Sequence, residues 1–322
     1  MKKELLSAFI AASTTCVSLI RADVVPEEEL VRLAANDPSI TEVSYRNIES
    51  TSEGIGLLCQ ALTNNTHVKE VCLECTNASF SMTPEGARWV VKLIKENKSI
   101  EKFVLKGHCM LWDALEAISE IFTIKSPNFK HFGLQGNMLA DYGVDHFKFG
   151  FVVECWNKFT ERLRKCTLEI LDLSDNCIRL TEEDRGLYKK IMVSLAFMVE
   201  NNENLKKLVL WKNKITGDGL TIFASNGVGE SKSLKDLDFS SNKWKFEDLE
   251  EFSLCVCGVP LERLDLSGNK ICSDVRCADR LKMLIGRLPN LKWINLSSNG
   301  LSEEALLELR LKYPKVEIVS DN

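Results

Sequence analysis

The sequence predicts an α/β solenoid, with a parallel sheet on the concave side of a curved stack and α-helices on the convex side. Three observations carry this expectation. A frame reading L-x-x-L-x-L-x-x-N-x-I recurs along the chain. Its copies lie roughly one short strand and one helix apart. The segments between them carry apolar residues at helical spacing. The frame is cleanest in Leu261–Ile271, L-E-R-L-D-L-S-G-N-K-I, and recurs at Leu168–Ile178, Leu205–Ile215, Leu234–Trp244 and Leu291–Leu301. Its apolar positions point into a shared core, and its Asn suits a turn whose backbone groups the side-chain amide can satisfy.

This frame is the leucine-rich-repeat signature. Strands are expected to open at Ile40, Val68, Ile100, Phe129, Leu168, Leu205, Leu234, Leu261 and Leu291. Successive spacings are 28, 32, 29, 39, 37, 29, 27 and 30 residues. Repeats of that length leave room for a full helix and resemble the ribonuclease-inhibitor-like class, a horseshoe of about nine repeats plus terminal caps.

Residues 1–39 read as an N-terminal helical cap. Leu5, Leu6, Phe9, Ile10, Cys16, Val17 and Ile20 mark one helical face. Glu4 in the basic region and Ser13-Thr14-Thr15 in the apolar run favour a capping helix over a cleaved leader. The sequons at Asn64, Asn77, Asn97 and Asn295 are then chance matches. A second helix over Glu27–Asn36 opens on Pro26 and acidic residues, which suit a helix N-terminus. Residues 40–312 form the array. Its helices include Leu57, Leu58, Ala61 and Leu62, then Ala87, Val90, Val91 and Ile94. Thr83-Pro-Glu and Thr181–Asp184 read as helix starts. The wide spacings after Phe129 and Leu168 call for longer helices, over Phe147–Arg164 and Leu187–Asn201. Residues 313–322 give a last short strand and tail, without a linker dividing the chain.

Glu27–Val43, Ala61-Leu62, Asn64–Lys69 and Lys95–Ile100 are together similar to the opening of the tropomodulin leucine-rich-repeat domain, a match over residues 26–110. That resemblance implies a regulator of actin filaments. The repeat class also resembles the Ran-specific GTPase activator, implying a small GTPase as the partner.

A net charge of −5 and a pI near 5.6 argue against nucleic-acid and anionic-membrane binding. The longest apolar run, Ile191–Val199, is far too short to span a bilayer. The 12 cysteines are scattered. Cys72-x-x-Cys75 and Cys255-x-Cys257 lack a second pair at zinc spacing, so neither a metal nor another cofactor is expected. All thiols are expected to be reduced, which implies the cytoplasm. His67, His108, His131 and His146 fall in different repeats, with His108 at the turn-Asn position. Phosphate-loop, dinucleotide, G-x-S-x-G and H-E-x-x-H signatures are missing, so the chain reads as non-enzymatic.

The third, fifth and seventh positions of each frame point out of the concave sheet. They bring Lys207 and Trp211, Asp238, Arg263 and Asp265, and Trp293 to one surface, with Asp172 extending the acidic row. Aromatics beside Arg or Lys are typical of interface hot spots, so these residues are the candidate protein-binding site of a monomeric scaffold. At about 4.8 Å per strand, Trp211 and Trp293 are expected within roughly 15 Å of each other.

Overall fold

A computed structural model of the chain describes residues 25–46, 52–76, 81–139, 149–178, 185–272, 274 and 276–321. The capping helix expected in residues 1–22 and the helix start at 181–184 lie outside the described residues. Ten strands make one sheet in sequence order: β1 Glu42–Arg46, β2 Glu70–Glu74, β3 Lys102–Lys106, β4 His131–Gln135, β5 Ile170–Asp172, β6 Lys207–Val209, β7 Asp236–Asp238, β8 Arg263–Asp265, β9 Trp293–Asn295 and β10 Glu317–Val319. All pairings are parallel. Each strand starts two residues past its frame's first apolar position, because that residue still faces inward at the bend.

The helices are α1 Glu27–Ala34, α2 Ser52–Leu62, α3 Pro84–Glu96, α4 Trp112–Ser119, α5 Phe149–Arg164, α6 Arg185–Asn201, α7 Gly217–Phe223, α8 Phe246–Cys255, α9 Cys277–Arg287 and α10 Glu303–Lys312. The long α5 and α6, 16 and 17 residues, fill the two wide spacings. At the start of α3, the Thr83 hydroxyl accepts the Gly86 N–H at 3.1 Å, as a Ser/Thr cap should. The frame leucines lie between sheet and helices, where Leu171, Leu208, Leu237 and Leu264 are fully buried. Aromatics thicken this core in two places, around Phe122, Phe132 and Phe159, and around Phe239, Trp244 and Phe252.

The turns are held by a ladder of buried asparagines. The Oδ1 atoms of Asn176, Asn213, Asn242 and Asn269 accept the N–H of Asn137, Asn176, Asn213 and Asn242 in the preceding turn, at 2.9, 2.8, 3.2 and 2.9 Å. Each side-chain amide donates back to a carbonyl, as Asn213 does to Leu173 at 2.8 Å. The residues on either side of the Asn take left-handed backbone, for example Lys212 and Lys214, or Ser241 and Lys243. That conformation is unfavourable for non-glycine residues and persists because the ladder over-determines it. A second set, Asn65, Asn97 and Asn202, ties each helix end to the next strand. Asn97, for instance, donates to Leu62 O at 2.7 Å and accepts from Ile100 N–H at 3.0 Å.

His108 stands in for a ladder Asn. Its Nε2 lies 2.9 Å from Leu73 O, and its N–H donates to Asn137 Oδ1 at 2.7 Å. Because a carbonyl only accepts, Nε2 carries the proton.

Among the described residues the ladder has one defect. Lys270 is not left-handed, unlike its counterparts. The buried Asn299 Oδ1 lacks the donors that its predecessors receive. In the loop that follows, Cys272 and Cys277 are joined in a disulfide. This corrects the expectation that all thiols are reduced: the two cysteines, five residues apart in sequence, meet just past the turn where Lys270 departs from left-handed backbone. Among the described residues no helix is long and apolar enough to cross a membrane.

Candidate functional site: the concave sheet

Strand alternation sends every second side chain to the concave face, so parallel registers set side chains in rows. One row reads Lys207, Asp236, Arg263, Trp293, Glu317. Asp236 ties two of its cations together, with Oδ2 at 2.9 Å from Lys207 Nζ and 3.8 Å from Arg263 Nε. The Arg263 guanidinium then lies over the Trp293 ring, 4.0 Å from its centroid. Arg263 is exposed and Trp293 half-buried, so the stack presents a flat, partly solvated surface.

Trp211 is not part of that group. Trp293 shares its row with Lys207, while Trp211 lies four residues beyond Lys207, in the turn past the end of β6. About 13 Å along the chain and, at right angles to it, about 14 Å across the sheet separate the two residues by roughly 20 Å. The expectation of about 15 Å counted only the strand-to-strand steps. Trp211 is 40% exposed, and Nζ of its neighbour Lys212 lies 5.4 Å from the ring centroid.

The aspartates of the next row have a structural task that the D-x-S spacing encodes. Asp172, Asp238 and Asp265 each accept the backbone N–H two residues on, from Ser174, Ser240 and Ser267, at 2.9, 2.8 and 2.9 Å. The serine hydroxyls donate to the same oxygens. Such Asx turns end the strand and start the ladder turn. Gln135 also donates to Asp172, and Asn295 to Asp265 at 3.1 Å. Burial is the main force pushing the Asp238 carboxyl up, opposed by the Ser240 bonds.

The first four strands make a different surface. Small or apolar Ser44, Cys72 and Val104 form the floor of a hollow of about 350 Å³, and Gly133 continues their row on β4. A Cβ at Gly133 would sit 3.1 Å from Val104 Cγ2, a tight contact that Val104 would have to yield to. On its wall Lys102 pairs with Glu70 at 2.8 Å, and two strand steps further along Lys106 pairs with Glu74 at 2.7 Å. His131 overlooks the hollow, its pKa lowered by burial first and by Lys102 second. Along one rim, Lys130 and Lys206 bracket Glu169, and Lys235 and Lys292 bracket Glu262. Among the described residues no group of three or more His, Cys, Asp or Glu is placed to hold a metal ion.

The family described as Leucine Rich repeat is matched over residues 164–180, the turn and strand around β5. No curated protein matches the chain. Among solved structures, the leucine-rich repeat-containing protein LegL7 from Legionella pneumophila aligns over 93% of this chain and 89% of its own, at 18% identity and a TM-score of 0.62. The tropomodulin C-terminal domain of Caenorhabditis elegans aligns over 51% of this chain and 89% of its own, at 16% identity and a TM-score of 0.36. Leiomodin-1 actin-binding site 2 aligns over 53% and 91%, at 20% identity and a TM-score of 0.32. The first of these likenesses shows the fold: the chain is a leucine-rich-repeat solenoid.

Proposed function

We propose that this solenoid is a non-enzymatic scaffold that binds another protein on the C-terminal half of its concave sheet. One observation carries the reading: the Arg263–Trp293 stack, fixed through Asp236 to Lys207, on a face that is charged or small polar apart from Val209, Val319 and Trp211. A half-buried indole there adds little to folding, and Trp and Arg dominate binding energies at protein interfaces. Lys207, Arg263 and Trp293 form the centre of the contact. Trp211 is a second contact roughly 20 Å away, and Asp238 and Asp265 line the floor between them.

The test is affinity purification of partners with the full chain and with Arg263→Ala/Trp293→Ala, followed by binding measurements on what is captured. The double variant should lose about 2 kcal/mol or more of binding while its melting temperature barely moves. Leu264→Ala, a fully buried position, should instead cost roughly 2–5 kcal/mol of stability. Capture unchanged by the double variant, in a protein that folds normally, would place the binding surface elsewhere.

A second reading, a regulator of actin filaments, is favoured by the resemblance of residues 26–110. It would rest on the hollow of β1–β4 rather than on Trp293. Co-sedimentation with filamentous actin separates the two: this reading requires binding that Lys102→Ala weakens and Arg263→Ala/Trp293→Ala leaves intact.

A further inference from the structure

The two most exposed large apolar side chains among the described residues are Leu307 and Leu311, 59% and 73% accessible. Both are on α10 and one helical turn apart, so they form a single stripe. Neighbouring repeats do not cover it. Glu308 turns towards α9, where Lys282 Nζ meets it at 2.6 Å. Leu306 and Leu309 face the core. The helix is firmly seated, because the Tyr313 hydroxyl donates to Lys282 O at 2.5 Å and Arg310 donates to Ile318 O at 3.1 Å. An apolar stripe on a well-held outer helix marks a contact surface.

The charges around the stripe indicate what covers it. Glu303 and Glu304 lie at the N-terminal end of α10, and Lys312 and Lys315 at or just past its C-terminal end. Glu303 and Lys315 have no ion-pair partner among the described residues. A twofold axis passing near residue 309 brings Leu307 of one α10 against Leu311 of another. The same axis sets Glu303 and Glu304 beside the lysines of the opposing helix. Antiparallel helices also oppose their dipoles favourably. Such self-complementarity is what an isologous interface requires.

The neighbouring sheet edge is a poor alternative contact. β10 is three residues long, is flanked by Lys315 and carries Glu317, features that blunt strand-to-strand association.

We propose that α10 pairs antiparallel with α10 of a second copy of this chain, through Leu307 and Leu311 and the opposed charges at the helix ends. The sequence alone suggested a monomer, and this helix face argues for a weak, concentration-dependent dimer. The surface is separate from the concave face, so failure of either proposal leaves the other standing.

Analytical ultracentrifugation of the full chain, with reductant present to remove adventitious cross-links, tests the pairing. The weight-average mass should rise from 36.3 kDa towards twice that value with concentration. Leu307→Glu/Leu311→Glu should hold it at 36.3 kDa with an unchanged circular-dichroism melt. Glu303→Lys/Glu304→Lys should weaken association at least about tenfold, and adding Lys312→Glu/Lys315→Glu should restore it. The proposal is overturned by a wild-type chain that stays monomeric up to about 1 mM. A dimer that survives the leucine changes, or one that ignores the charge reversals, overturns it equally.

Discussion

At the scale of single residues, the turn asparagines do more for the fold than the leucines that reveal it. A frame leucine needs only an apolar neighbourhood, and many side chains would serve. Each turn Asn has to donate to one carbonyl and accept from a neighbouring turn in a space closed to water, where an unmade bond costs about 1–3 kcal/mol. His108 makes the carbonyl bond through its ring Nε2 and carries a titration with it. Burial is the larger influence on its imidazole and lowers the pKa from 6.5 to about 4, against the Leu73 bond. In the unfolded chain the ring takes up its proton near 6.5, while the folded protein resists until about 4. Between those values protons therefore favour unfolding, and His108 adds to the loss of stability as pH falls through that window. Above it, His108 adds no slope. His108→Asn should flatten the melting temperature between about pH 6.5 and 4. His131, also lowered by burial, keeps part of the slope in both proteins. An unchanged profile would mean that His108 is not held neutral in the ladder.

At the scale of elements, strand and helix order was legible because the apolar frame has a fixed length and each copy reports the same bend. The lengths of α5 and α6 followed from simple subtraction. What escaped the sequence were relations between copies. The Asp-x-Ser turns could have been read from Asp172, Asp238 and Asp265, each with Ser two residues later, but an exposed Asp also solubilises a sheet. The row that joins Lys207 to Trp293 needs the register, which no single frame contains. The stack of Arg263 on Trp293 needs rotamers as well. The loop after the eighth turn was likewise illegible, since nothing in Lys270 announces that it will leave the left-handed region. The Cys272–Cys277 disulfide it carries closes only a short loop, so its effect on the unfolded chain is modest, about 2 kcal/mol. Reductant should lower stability by about that much, and Cys272→Ser should reproduce the loss without reductant. A melting temperature indifferent to both would show that the pair contributes nothing to the fold.

At the scale of the whole molecule, ten strands in sequence order mean that every repeat touches only its neighbours. Truncation at Asn204 removes β6 and α7 and would expose Leu171, Leu173 and the inner side of α6 to water. Such a chain should be poorly soluble and melt well below the full protein. Were it monomeric and equally stable, the single cooperative array would be the wrong description. The same arrangement has a mechanical meaning. When a load is applied between the two ends, the interfaces between repeats, each with its asparagine rung, act as links in series, each carrying the whole tension. A chain of that kind yields at its weakest link, whatever the strength of the rest. Among the asparagine rungs of the described residues that link is the seam between Asn269 and Asn299, where one amide donates to Leu266 O but Asn299 Oδ1 holds nothing in return. Stretched in a force clamp, the molecule should shed its last repeat first, as a small early extension, while the turns bridged by Asn176, Asn213 and Asn242 stay closed.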